Sequence, residues 1–107
     1  MPSTIRQFDV IKNPFRAGRD GKPYLVCVQH HLLDRLNTRI MASLVTRHAV
    51  QDLPRLYPLV RVATQELFLD PTDLVALPIR ILRTPIANLE SDRDRIVAAL
   101  DLVFTGI

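Results

Sequence analysis

The chain contains little of what several classes of functional site require. One of its 107 residues is cysteine, three are glycine and none is tryptophan. A single cysteine, Cys27, excludes an internal disulfide; this fits a reducing compartment and predicts a cytoplasmic protein. Because no glycine-rich turn precedes a helix, the sequence also argues against a phosphate-binding loop.

Long apolar runs and concentrated charge of one sign are missing as well. No run approaches the roughly 18 apolar residues that a membrane-spanning helix needs, so no membrane partner is expected. The formal net charge is +3, and the arginines are scattered along the chain with acidic residues near most of them. Such scattering is typical of solvated faces, so we expect no direct sequence-specific binding of nucleic acid.

The composition nevertheless supports a folded core. Apolar residues make up 48% of the chain. The length suits one compact domain, residues 1–107. A domain of this size keeps much apolar surface near solvent, which dimerisation would cover. Cys27 lies in an apolar strand-like run and is expected to be a buried, inert thiol.

Short strand-like segments fill most of the chain. Strands are predicted at residues 5–11, 24–29, 39–45, 56–62, 66–69 and 74–83, with a turn at 70–73. Residues 30–37 are interpreted as an ordered loop. Because the connections are too short for several parallel crossovers, the sheet should be antiparallel. With one helix after the strands, the pattern predicts an α+β fold that is mainly β.

The last segment predicts a helix that ends close to the chain terminus. Ser91 is placed to cap its first turn, and Gly106 is placed to end it. One apolar stripe contains Ile96, Leu100, Val103 and Ile107. The apolar terminus from Phe104 onward either packs against the sheet or a dimer mate, or forms an exposed interaction site.

Candidate catalytic residues are confined to one polar segment. Neighbouring histidines on extended backbone point to opposite faces, so His30 and His31 do not form a metal site, and no spacing includes His48. Neither a metal nor another cofactor is expected. A metal-free ribonuclease needs a base, an acid and a cation, and His30, His31, Asp34 and Arg39 could supply them. The simpler interpretation is an ordinary polar loop, which predicts no enzyme.

Three segments of the second half carry a family resemblance. Residues 56–60 read Leu-Tyr-Pro-Leu-Val, residues 73–79 read Asp-Leu-Val-Ala-Leu-Pro-Ile, and residues 102–107 read Leu-Val-Phe-Thr-Gly-Ile. They are similar, in order and spacing, to Leu-Tyr-Pro-Val-Val, Asp-Met-Ala-Ser-Val-Pro-Val and Leu-Met-Phe-Trp-Gly-Ile of one family. The chain therefore resembles the CcdB family of plasmid-addiction toxins.

This resemblance implies a fold, a function and partners. The fold is the SH3-barrel-like one that CcdB-type and MazF-type toxins share: an antiparallel sheet, a small extra sheet and a C-terminal helix. The function implied is that of a toxin of a type II toxin–antitoxin system in plasmid maintenance. Such a toxin is a homodimer, inhibits DNA gyrase by binding its GyrA subunit, and is neutralised by a CcdA-like antitoxin.

The resemblance also implies a gyrase-binding set. Its members are Leu32, Leu33, Asp101, Phe104, Thr105, Gly106 and Ile107. Thr105 stands where the family has tryptophan, and Asp101 stands where it has asparagine. Two alternatives stay open: a fold-related MazF-like ribonuclease toxin, and a degenerate family member that binds its antitoxin without poisoning gyrase.

Overall fold

The molecule is built on one β-sheet whose strands differ in length. The computed structural model describes residues 5–17, 19–46 and 52–107. The strands are β1 (Asp9–Lys12), β2 (Tyr24–Cys27), β3 (Thr38–Val45), β4 (Leu59–Val62), β5 (Gln65–Pro78) and β6 (Ala87–Asn88). One α-helix, α1 (Arg93–Thr105), follows them. None of the helices among these residues is long and apolar enough to cross a membrane.

The strand order shows a sheet that is almost closed into a barrel. The order is β4-β5-β3-β2-β1-β6, and every pairing is antiparallel, as predicted. The two edge strands lie close together, since Leu59 of β4 and Asn88 of β6 line the same cleft. Arg95 of α1 donates a hydrogen bond of 2.8 Å to the Leu59 carbonyl. The helix therefore satisfies part of one open edge.

The main core fills the inside of this barrel. Its buried members come from β1 to β5 and from α1, and include Val10, Val26, Leu44, Leu67 and Ile96. The helix contributes Ile96 and Ala99, which are both fully buried. Side chains of this kind on one stripe confirm the amphipathic helix that the sequence predicts.

The prediction that Ile107 continues the apolar stripe of the helix is wrong. Ile107 is 84% exposed and lies beyond the helix, which ends at Thr105. Gly106 ends the helix as predicted, because it adopts a left-handed φ of 75° and donates to the Leu102 carbonyl at 3.1 Å. A residue after this reversal cannot continue the helical stripe.

A second core cluster covers the other face of the sheet. It contains Ile5, Ile11, Leu25, Cys27, Met41, Leu77 and Leu82, with the 3-10 turn Ile79–Ile81 packed against it. Burial raises the pKa of the Cys27 thiol to about 11. The thiol is therefore protonated at neutral pH, which confirms the buried, inert cysteine.

The turn predicted at residues 70–73 is a bulge inside β5. Ala42 pairs with Leu74, but the next residue, Ser43, pairs with Asp70, so three residues of β5 face no partner. Asp70 Oδ1 accepts from the Thr72 amide at 3.0 Å, as in a turn. Proline tolerates this position because a bulged residue needs no ladder donor. Turn chemistry is present, but the chain does not reverse.

Two further predictions are wrong in detail. The six strands of the described residues form one sheet, so the small extra sheet is not separate. The physical reason is that β5 continues through its bulge and still pairs with β4. Ser91 does not cap α1, because a 3-10 turn, Glu90–Asp92, precedes the helix and makes Asp92 the cap residue. The Asp92 carboxylate instead accepts from Arg95.

Replacing Asp73 with asparagine should destabilise the bulge. Asp73 Oδ2 accepts from Lys22 Nζ at 2.6 Å and from Ser43 Oγ at 2.7 Å. These bonds, the Lys22 one first, lower the pKa of the Asp73 carboxyl. We expect Asp73→Asn to lower the unfolding free energy at pH 7 by about 0.5–1 kcal/mol.

The pH dependence tests the cause of that loss. A lowered pKa contributes stability above the unfolded carboxyl pKa of about 3.9, and this contribution disappears as pH falls through the folded value. Denaturant unfolding at pH 7 and in acid should therefore show the two proteins converging in acid. The control is Glu90→Gln, because Glu90 is exposed and forms no ion pair within the described residues. A loss that persists undiminished in acid would contradict an ionic cause.

Candidate partner-binding site

The loop between β2 and β3 presents two leucines to solvent. It contains the 3-10 turn His31–Leu33, in which Leu32 is 80% exposed and Leu33 is 47% exposed. The His30 Nδ1 atom accepts from the Leu32 amide at 3.1 Å and caps the turn. The ordered loop predicted from the sequence is confirmed.

Gln29 joins the two ends of this loop from inside. Its side-chain amide donates to the carbonyls of Leu33 at 3.2 Å and Thr38 at 3.1 Å. Its Oε1 atom accepts from the Ile40 amide at 3.1 Å. The residue is 5% exposed, so each of these bonds satisfies a polar group away from water. The exposed leucines thus stand on a fixed backbone.

Arg39 braces the same loop from below. It is 2% exposed and donates to four backbone carbonyls, which belong to Ile5, Asp34, Leu36 and Thr38. The distances lie between 2.8 and 3.0 Å. The planar guanidinium suits this role, since it offers several donors in a fixed geometry.

The ribonuclease hypothesis is therefore wrong about Arg39. A phosphate-binding cation must reach solvent and keep donors free, and Arg39 does neither. Asp34 is also turned away from solvent at one oxygen: its Oδ1 atom is buried, has no hydrogen-bond partner among the described residues and lies 4.0 Å from Arg39 Nε. The sequence could not show this, because four of the contacts join Arg39 to backbone atoms of a loop and of the N-terminal segment.

The two neighbouring histidines line a polar cleft together. The prediction that they point to opposite faces is wrong, because His31 begins a 3-10 turn and the two rings are 4.1 Å apart. The cleft has a volume of about 290 Å³. Its other lining residues are Arg6, Gln7, Asp9, Asn88, Glu90 and Arg93. His48 lies outside the described residues.

The C-terminal end of α1 presents a second apolar surface. Phe104 is 69% exposed and Ile107 is 84% exposed. The Thr105 hydroxyl donates to the Asp101 carbonyl at 2.7 Å, so it is satisfied within the helix. Asp101 is exposed one turn before Thr105. The alternative that the terminus packs back onto the sheet is wrong for Phe104 and Ile107.

All seven residues of the gyrase-binding set are exposed, and they lie on two elements. Leu32 and Leu33 belong to the β2–β3 loop, and the others lie at the end of α1 or directly after it. Within the described ranges, no hydrogen bond or ion pair joins the two groups. Leu36, which is 51% exposed in the same loop, adds apolar surface that the sequence reasoning omitted. The sequence could have indicated Leu36, because it is an apolar residue within a polar loop.

A comparison with protein families decides the relationship. The family model described as "CcdB protein" matches residues 7–106. The chain belongs to the CcdB family. This is a family of toxins of toxin–antitoxin systems, as the resemblance of the second half implies. A search of curated proteins finds no significant match.

Solved structures show the fold of this CcdB-family chain in other proteins. One is an "Endoribonuclease in complex with its cognate antitoxin from Mycobacterial species", with a TM-score of 0.74 and 11% identity over 92% of this chain and 93% of that one. Another is "Mycobacterium tuberculosis toxin MazF-mt6", with a TM-score of 0.67 and 15% identity over 92% and 96%. At such identities the likeness shows the fold, and it confirms the SH3-barrel-like architecture.

Proposed function

We propose that this CcdB-family toxin acts by binding the GyrA subunit of DNA gyrase and inhibiting the enzyme. The single observation that carries the proposal is the exposed apolar end of α1, where Phe104 and Ile107 face solvent within a segment that the family model covers to residue 106. Large exposed side chains at the end of a rigid helix are suited to enter a partner's pocket.

A homodimer completes the proposed binding surface. Two copies would present two helix ends and two Leu32-Leu33 loops about one axis. Such a surface fits a two-fold partner, because an isologous arrangement repeats each contact. Binding of this kind needs no catalytic residue, so the protein acts as an inhibitor rather than an enzyme. Its place of action would be the cytoplasm, where its target works on DNA.

A CcdA-like antitoxin is the second proposed partner. The solved endoribonuclease of this fold is in complex with its cognate antitoxin, which supports the same mode of control here. The toxin's net charge of +3 favours an acidic partner segment. Such a segment would order on the toxin surface and mask the apolar helix end.

The test is gyrase supercoiling and DNA cleavage with the purified full chain. We expect inhibition of supercoiling and accumulation of cleaved DNA. Addition of the antitoxin encoded beside the toxin should reverse both effects. No inhibition at micromolar protein, with the dimer intact by light scattering, would overturn gyrase as the target and favour the degenerate family member.

A ribonuclease remains the second candidate, for one reason. His30, His31, Glu90 and Arg93 line a common cleft, which places possible acid, base and cation side by side. We expect no RNA cleavage by the purified chain. Cleavage that persists without metal and is lost on His31→Ala, while Arg35→Ala has no effect, would promote this candidate over gyrase inhibition.

A further inference from the structure

A cleft on the second core face combines an aromatic ring with two arginines. It has a volume of about 600 Å³. Its lining residues are Pro14, Phe15, Arg80, Ile81, Leu82 and Arg83. They come from the loop after β1 and from the segment after β5, which are far apart in the sequence. None of these six residues belongs to the gyrase-binding set.

The aromatic wall of this cleft is held in place. Phe15 is 49% exposed, and its amide donates to Asn13 Oδ1 at 2.9 Å. The Asn13 side chain is 5% exposed and also donates to the Lys22 carbonyl at 2.8 Å across the loop. The Asn13 carbonyl accepts from Arg19 Nε at 2.7 Å. The exposed ring therefore stands on an ordered loop.

The segment that carries Arg80 and Arg83, on the other side of the cleft, is also held in place. The 3-10 turn Ile79–Ile81 starts with the Ile79 amide donating to the Asn37 carbonyl at 2.8 Å. Leu82, 8% exposed, packs into the second core cluster, and Ile79 and Ile81 pack against it. Arg80, in the middle of the turn, and Arg83, after Leu82, are exposed. Packing thus fixes the backbone and leaves the guanidinium groups to solvent.

The charge of the cleft is positive and unbalanced. Neither Arg80 nor Arg83 forms an ion pair within the described residues, and none of the six lining residues is acidic. The polar cleft beside His30 differs, because Asp9 and Glu90 there offset Arg6 and Arg93. A ligand of the Phe15 cleft should therefore be anionic.

The shape of the walls selects among anions. Leu82 is buried, while Pro14 and Ile81 are half-buried, so Phe15 is the large apolar group that stands out among the lining residues. A single exposed ring beside planar guanidinium groups offers stacking and phosphate contacts, which is how single-stranded nucleic acid is bound without reading its sequence. An apolar peptide segment would instead require a continuous hydrophobic groove.

We propose that this cleft, formed by Phe15, Arg80 and Arg83, binds single-stranded nucleic acid. A base stacks on the Phe15 ring, and the two arginines contact phosphate groups. The site is separate from the end of α1, so it adds a nucleic-acid contact to the toxin whatever its protein target. The sequence reasoning missed it because the aromatic and basic residues do not alternate along the chain.

Fluorescence anisotropy with labelled oligouridylate and oligothymidylate tests the proposal on the full chain. We expect a dissociation constant of about 10⁻⁴–10⁻⁶ M at physiological salt. The logarithm of the binding constant should fall by about 0.7 per phosphate contact for each ten-fold increase in salt concentration. Phe15→Ala should weaken binding roughly ten-fold, and Phe15→Trp should restore it. The double change R80Q/R83Q should reduce the salt slope by about 1.4. Binding of either strand type supports the site.

The matched control is R35Q/R55Q, which removes the same charge from exposed arginines that lie outside the cleft and form no ion pair within the described residues. If it weakens binding as much as R80Q/R83Q, the proposal is overturned in favour of diffuse attraction. Unchanged binding in Phe15→Ala also overturns it. A polyglutamate peptide that binds with the same dependence on Phe15, when the oligonucleotides do not bind, would assign the cleft to a protein partner. Thermal unfolding checks that each variant is folded.

Discussion

Replacing Arg39 with methionine is expected to lower the free energy of unfolding by about 3–5 kcal/mol, because it removes one partner of a buried charged network. Four backbone carbonyls lose their donor, and Asp34 loses one of the two cations that lie 4.0 Å from its carboxylate. For a domain of this size the melting temperature should fall by about 15–30 °C. Thermal unfolding followed by circular dichroism measures the effect.

Arg35→Met is the matched control for that substitution. Arg35 is exposed in the same loop, so its loss should change stability by about 0.5 kcal/mol or less. Arg39→Lys should remain strongly destabilised, since one ammonium cannot hold the four carbonyls in the guanidinium geometry. If the two methionine variants were equally stable, Arg39 would not brace the loop. Faster amide exchange at Leu33 would show that the loop has been released.

Loss of the apolar end of α1 is expected to abolish the proposed gyrase inhibition without unfolding the protein. Phe104→Ala should weaken the proposed GyrA complex by about 2 kcal/mol, which is roughly thirty-fold. Deleting residues 105–107 should remove toxicity. Stability should change little with Phe104→Ala, because that side chain is 69% exposed. Supercoiling assays and cell growth on induction are the measurements.

Ile86→Ala provides the control for an exposed apolar side chain. Ile86 is 55% exposed and precedes β6, away from the gyrase-binding set. It should leave inhibition unchanged. Thr105→Trp provides the opposite test, since a large aromatic at this position should strengthen binding. Full inhibition by the Phe104→Ala variant would contradict the assigned surface.

Most of the strands and the helix could be predicted because local patterns specify them, whereas the two-residue β6 was not predicted and β5 was divided in two. The alternation in β4 and the stripe around Ile96 each reflect one buried face, and both faces are found. Pro71 shows the limit of such patterns. The residues around it are typical both of a turn that reverses the chain and of a bulge within a strand. Pairing with β3 decides in favour of the bulge, and that pairing is not visible in the local sequence.

The polar residues of the site were harder to interpret than its apolar ones. Exposed leucines such as Leu32 are visible as apolar residues in a polar loop. Arg39 has the same sequence signal whether it binds a ligand or supports a loop. Its role depends on carbonyl groups contributed by Ile5 and the loop, which no local pattern contains.

The Phe15 cleft failed prediction for a related reason. The ring and Arg80 lie on segments whose proximity follows from the packing of residues 79–82 under the sheet. Composition indicated scattered charge, and scattering along the chain is compatible with clustering in space. The distribution of charge along the sequence can therefore exclude a basic sequence motif, but only the folded structure shows whether charged residues cluster on the surface.

The pairing of β1 with β6 has a consequence for synthesis. Asp9 pairs with Asn88, so the sheet is completed only when nearly the whole chain is present. Contacts between such distant residues slow folding, because loop closure comes before the gain from packing. The core also waits for Ile96 of α1. A nascent chain that has not reached this helix therefore cannot complete its core.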